Sequence, residues 1–194
     1  MKLYLVRHGE TVENAEGRIQ GQTHGRLSEN GKSQVKRLAE RLRNEEFDCI
    51  YCSDLARAKD TSEAIHRFHP GKPLIAVKEL RERSFGPYEG EFCDDHVWAP
   101  RGKVWTFPPE VEPDAELLER CRVFLDRVYH DHARGSVLFV SHGGTLNALL
   151  SVVAKRGGEE IDFIHLHNTS ITIVEFDEDR GHHIHLLNCV QHLE

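Results

Sequence analysis

The chain has 194 residues, a net charge of -7, 39% hydrophobic and 29% charged residues. That length holds one domain with its own core, taken here as residues 1–194, and gives no room to assume two independent ones. No apolar run approaches the roughly 20 residues that cross a bilayer, and an acidic chain with scattered basic residues makes a poor partner for nucleic acid.

The N-terminus offers one lysine and a few apolar residues before Arg7, too short for a secretory core segment, which points to the cytoplasm. The first predicted strand is Lys2–Val6. After a polar, glycine-containing loop, Ser28 can cap a helix whose apolar positions Val35, Leu38, Ala39 and Leu42 follow the i, i+3, i+4, i+7 pattern. A second strand is expected at Asp48–Cys52, where Cys49 and Cys52, three apart, point to opposite faces. All five cysteines, an odd number without an export signal, read as free thiols. Ser53 or Asp54 then starts a helix with Leu55, Ala58, Ile65 and Phe68 along one side.

Pro73–Val77 reads as a third strand. From about 93 to 113 the pattern breaks down among Trp98, Pro100, Gly102, Trp105, Pro108, Pro109 and Pro113, an irregular insertion placed as a lid. A long helix with Leu117, Cys121, Phe124 and Val128 on one face ends near Gly135. Ser136–Ser141 is the near-continuous apolar run of a strand buried on both faces, leading into a helix that opens at His142. The tail, TSITIVEF and HIHLLNCV around a turn at 179–181, reads as a hairpin. The fold class expected is α/β: a three-layer α/β/α sandwich, its sheet mostly parallel with an antiparallel C-terminal edge and the small insertion over the site.

Two strands end alike. LYLV delivers Arg7-His8-Gly9, and VLFVS delivers His142-Gly143-Gly144. Ligands of open α/β sheets sit beyond the carboxyl ends of strands, so both histidines are aimed at one crevice, and the glycines leave backbone amides free for an anion. Arg57, in SDLARAKDT, falls just past another strand end, where with Arg7 it can grip phosphoryl oxygens in a planar, bidentate manner. Glu82 lies between two arginines in ELRERSFGPYEG, a segment whose plain alternative is a charged loop.

RHGET, ENAEGRIQGQT, SDLARAKDT, LRERSFGPYEG and VSHGG occur in the order and rough spacing of the histidine phosphatase superfamily, which the chain resembles over essentially its whole length. That group includes cofactor-dependent phosphoglycerate mutases, the bisphosphatase domain acting on fructose 2,6-bisphosphate, and the bacterial broad-specificity and α-ribazole phosphatases, which the pattern approaches most. The resemblance implies that His8 is the nucleophile and that Arg7, Arg57 and His142 form the phosphate pocket, with Asn14 as a further contact and Glu82 as general acid and base. Gln20, Gly21, Gly143 and Arg101 complete the expected substrate-binding set. The chemistry agrees: a neutral imidazole attacks phosphorus in line, cations stabilise the spread charge, and a carboxyl protonates the departing alkoxide.

No metal and no cofactor is called for, since arginines and histidines supply the positive charge; the partners expected are a small phosphorylated substrate and inorganic phosphate, with the chain a monomer or homodimer. Mutases of the family carry a longer, more basic insertion after the acid residue. Here that segment is short and holds only Arg101 and Lys103 as cations, which favours hydrolysis over a mutase; a non-catalytic phosphate-ligand module is the reading of a different class. Trp98, Trp105 and Phe107 either pack against a leaving group or pack locally. Pro113-Asp114-Ala115-Glu116 stands where the family's phosphatases show a glycine pair before a glutamate. His183 and His185 in GHHIH share a strand face, and either bind a metal or sit on a solvated hairpin.

Overall fold

In the computed structural model the described residues are 1–93, 108–154, 163–177 and 181–194, with the backbone of 100–101 and 104–105. The elements follow in order as β1 (Lys2–Arg7), α1 (Val12–Ala15), α2 (Glu29–Leu42), β2 (Cys49–Ser53), α3 (Ala56–His66), β3 (Leu74–Val77), β4 (Pro100–Arg101), β5 (Val104–Trp105), α4 (Asp114–Asp131), β6 (Ser136–Ser141), α5 (Gly143–Val153), β7 (Ile171–Phe176) and β8 (His182–Cys189). Six of the strands form one sheet in the order β3-β2-β6-β1-β7-β8. The β1–β6, β6–β2 and β2–β3 pairs are parallel; β7 and β8 run antiparallel, as the hairpin reading requires. β4 and β5 pair only with each other, so the proposed lid is described here at those four backbone positions and from residue 108 onward.

Strand alternation divides the core into two halves. Leu3, Leu5, Cys49, Val137 and Phe139 face Leu117, Cys121, Phe124 and Val128 of α4 and Leu146, Leu149 and Val153 of α5. Tyr4, Val6, Ile50, Cys52, Leu138 and Val140 face Leu38, Ala39 and Leu42 of α2 and Ala58 and Ile65 of α3. Each central strand therefore buries both of its faces, which is why SVLFVS lacks alternation in hydrophobicity. Cys49 and Cys52 fall in opposite halves, as their spacing predicts, and all five thiols are free. Ser28 caps α2, its Oγ accepting from Gly31 N–H at 2.9 Å.

Strand ends shift by one residue from the sequence reading, and three helix boundaries differ from it. α3 begins at Ala56 rather than at Ser53 or Asp54, because Ser53 still pairs with Val77 and the Asp54 carboxylate is occupied by Arg81 instead of capping a helix. Phe68 lies beyond the end of α3 and is 38% exposed, with the Arg43 guanidinium 5.1 Å from its ring. α4 stops at Asp131, and a turn closed by Gly135 N–H to the His132 carbonyl covers the remaining residues.

Candidate active site

The sheet order explains the site. β6 lies between β1 and β2, all three run parallel, and the β1–β6 register sets Arg7 beside Ser141. The residues one step further along must then meet. His8 N–H donates to the Ser141 carbonyl at 3.0 Å, and the His8 and His142 rings lie 5.0 Å apart. β2 ends on the other side of β6, and the first turn of α3 carries Arg57 back over the same strand ends. Arg57 Nε–H donates to His8 Nε2 at 3.2 Å. His8, Arg57 and His142 are each at most 2% exposed.

Those contacts fix the imidazole's tautomer. A guanidinium Nε can only donate, so His8 Nε2 carries the lone pair. His8 Nδ1 lies 2.7 Å from the Gly9 carbonyl, an acceptor only, so the proton resides there. Burial pushes the His8 pKa well below its ordinary value of 6.5, with Arg57 and then Arg7 adding to the effect. Desolvation is thus a larger cause than the neighbouring cations. His142 is lowered likewise, by burial first and then by Arg57 and His8. Arg57 is itself brought down to about 10, chiefly by burial, and stays cationic at neutral pH.

Arg57 does not present the open fork that the sequence suggests. Arg57 Nη1 donates to the carbonyls of Thr23 and His24, and Nη2 to that of Gly21 at 2.8 Å. Arg7 Nη1 donates to the Leu166 carbonyl. What remains uncommitted is Arg7 Nε and both ring nitrogens of His142, all buried and without a hydrogen-bond partner among the described residues. Buried polar atoms are normally paired, so three of them, two on the ring 5.0 Å from that of His8, mark a place built for a polar ligand.

Glu82 reaches the same pocket from the segment after β3. Its Oε2 accepts from Gly144 N–H at 3.0 Å, and its Oε1 from Thr145 N–H at 3.1 Å and Arg83 N–H at 2.8 Å. A cavity of about 520 Å³ extends from Arg7, Glu82, Gly143 and Gly144 toward Phe85, Phe163, Ile164 and His165.

The remaining sequence candidates behave differently. Asn14 closes the capping box of α1 with Thr11, and its Oδ1 accepts from Asn168 Nδ2, which also donates to the His8 carbonyl. Gly21 has φ +51°, and a Cβ there would lie 2.1 Å from Glu89 Oε1; its carbonyl holds Arg57. Gln20 is buried against Gly25, beside Glu13. Gly21 thus holds Arg57 through its carbonyl, and neither Gln20 nor Gly21 lines the cavity, which opens beside the buried His8, Arg57 and His142 rather than being lined by them. Arg101 is described only as β4 backbone, so its side chain, like Trp98, Lys103 and Phe107, lies outside the described residues, and Trp105 is described only as β5 backbone.

Several supporting residues escaped the sequence reading. Arg81 makes a bidentate pair with Asp54, both bonds 2.7 Å, and Arg83 pairs with Asp114 at the start of α4. Arg120 pairs with Glu112 and donates to the Glu82 carbonyl. The arginines flanking Glu82 were the available signal. Their partners are distant in the chain and follow no motif. On β8, His183 and His185 do share a face, rings 5.3 Å apart, with His185 Nε2 2.7 Å from Glu175. Among the described residues no group of three or more His, Cys, Asp or Glu is placed to hold a metal ion, and no helix is long and apolar enough to cross a membrane.

Residues 3–189 match the family model of the histidine phosphatase superfamily, branch 1. The chain belongs to the histidine phosphatase superfamily. A probable phosphatase of Schizosaccharomyces pombe is 32% identical to this histidine phosphatase relative over 203 residues, covering 100% of the chain and 96% of that protein. A probable phosphoglycerate mutase of Yersinia pestis, GpmB, is 33% identical over 186 residues, 92% of the chain and 86% of its own length. The solved structure of YhfR from Bacillus stearothermophilus superposes with a TM-score of 0.87 at 29% identity, covering 100% of the chain and 99% of YhfR. The sandwich with its antiparallel edge is thus the superfamily's fold.

Proposed function

We propose that this protein hydrolyses phosphomonoesters of small metabolites through a phosphohistidine on Nε2 of His8. The observation that carries the reading is the set of buried, unpartnered polar atoms beside a neutral imidazole: Arg7 Nε and His142, whose neutral ring offers one N–H, near the His8 ring. Three negatively charged equatorial oxygens suit that set, and a positive pocket kept dry stabilises them more than water would.

The Nε2 lone pair attacks phosphorus, the bond to the ester oxygen breaks, and Glu82 passes its proton to the departing oxygen to give the alcohol. Water then attacks the phosphohistidine, Glu82 takes a proton from it, the P–N bond breaks, and inorganic phosphate leaves with His8 restored. Arg57, donating to Nε2, keeps the ring oriented and uncharged until the ester arrives. Hydrolysis is preferred to transfer between hydroxyls because the 93–113 segment is short and carries two cations, Arg101 and Lys103.

The test is a phosphate-release screen over sugar, glycerate, nucleotide and amino-acid phosphate esters with chelator present, using His8→Ala as the control. Release by the wild type, a ³²P label on the quenched protein that is acid-labile and base-stable, and neither with His8→Ala are expected. A wild type that releases no phosphate from any ester refutes the reading, and isotope moving between the hydroxyls of glycerate on addition of 2,3-bisphosphoglycerate would replace it with a mutase, the activity named for the Yersinia relative.

A further inference from the structure

We propose that Gly144 and Thr145 are positioning residues for Glu82, so that the first turn of α5 governs protonation of the leaving group. The proposal deepens the phosphatase reading and rests on Glu82 being its acid. Both carboxylate oxygens are held by backbone: Gly144 N–H on Oε2, and Thr145 N–H with Arg83 N–H on Oε1. The first amides of a helix have no acceptor within it and lie at its positive end, so they hold Glu82 as a carboxylate until a phosphate dianion beside it favours uptake of the proton that it then passes on. The Thr145 hydroxyl donates to the Arg81 carbonyl at 2.6 Å and lies 3.4 Å from Glu82 Oε1, tying the helix start to the chain on the near side of Glu82.

The second glycine of SHGG has a steric reason. An ideal Cβ on Gly144 would stand 2.5 Å from Glu82 Oε1 and 3.3 Å from its Cδ, whereas one on Gly143 would meet nothing nearer than 3.7 Å. The carboxylate has little freedom to give way, because the Glu82 carbonyl is itself held by Arg120 Nη2 and Gln22 Nε2. His142, Gly143, Gly144 and Thr145 are consecutive, so one helix start both carries a wall of the phosphate pocket and holds the proton donor. The spacing between phosphate and acid is thereby set by a rigid element and not by a mobile side chain.

The experiment measures kcat/KM for Gly144→Ala, Thr145→Val and Thr145→Ser across esters of graded leaving-group acidity, from p-nitrophenyl phosphate to glycerol 2-phosphate. This ratio stops at formation of the phosphohistidine, so the later water step does not enter. A nitrophenolate leaves without help, whereas an alkoxide needs the proton, whose transfer is worth about 10²–10⁴-fold. Gly144→Ala should lose roughly tenfold or more on the alkyl ester while staying within about threefold on the nitrophenyl ester. Thr145→Val should fall in the same selective way by a smaller factor, and Thr145→Ser should restore the wild-type slope. A general structural defect would lower both ester classes alike, and that outcome, or no change on either, overturns the proposal. Should Gly144→Ala fail to fold, the Thr145 pair makes the same comparison. A wild type inactive on every ester defeats the functional reading instead, and a Glu82→Gln variant with unchanged slope defeats Glu82 as the acid.

Discussion

At the scale of single residues, the site combines two buried imidazoles with arginines whose charges face inward. Arg57 is the clearest case, since one guanidinium spans His8 Nε2 and the carbonyls of Gly21, Thr23 and His24. A planar group with donors pointing three ways can do this, and an ammonium cannot. Arg57→Lys is therefore expected to behave like a deletion. It leaves buried carbonyls unpaired at roughly 1–3 kcal/mol each and removes one of the two hydrogen bonds that orient the His8 ring. Steady-state kinetics should show kcat/KM reduced by about 10² or more, the scale seen when one preorganised donor is removed, with a lowered Tm. A lysine variant within threefold of wild type would show that charge alone suffices there.

At the scale of elements, two glycines permit α2 to cross directly over the loop that follows β1. A Cβ on Gly31, inside α2, would stand 1.9 Å from the Glu10 carbonyl oxygen, and one on Gly9 would meet Val35 Cγ2 at 2.5 Å. Alanine is the better helix former by about 1 kcal/mol. The neighbour at Gly31 is backbone, however, so Gly31→Ala must move either the helix or the His8 loop, and overpacking of this kind typically costs about 1–3 kcal/mol. We expect urea unfolding to show a net loss of stability and kcat to fall with it; a variant more stable than wild type would show that propensity outweighs the contact. Elements such as α2 were legible because a buried face imposes a period: Val35, Leu38, Ala39 and Leu42 are all in the core. The strand-end histidines were legible for a related reason, each following an apolar run. The braces were not. Arg81 finds Asp54 27 residues away and Asn168 finds the His8 carbonyl across 160, and no local pattern encodes such pairs. Arg57 shows the same limit, because the sequence places its charge near a strand end while only the fold decides that its nitrogens are taken up by His8 and three carbonyls.

For the whole molecule, burying two neutral imidazoles links catalysis to acid stability. His8 and His142 both have pKa values well below 6.5 in the folded protein, burial being the main cause in each. The unfolded chain takes up protons on them as pH falls through 6.5, while the folded chain does not until much lower pH. Stability therefore rises with pH across that window and is lost as pH drops from about 6.5 toward the folded values, at up to about 1.4 kcal/mol per pH unit for each group. The Asp54 carboxylate, held below its ordinary 3.8 first by its bond to Arg81, has the same sign but acts below pH 4, so the two contributions separate on the pH axis. Urea unfolding at pH 7.5, 6.5 and 5.5 should give a steadily falling unfolding free energy for the wild type. The double variant His8→Asn/His142→Gln, which removes both titrating groups, should give a visibly flatter curve over the same range. Equal slopes for the two proteins would mean that the acid sensitivity lies elsewhere, and that the imidazoles are not held neutral by the fold.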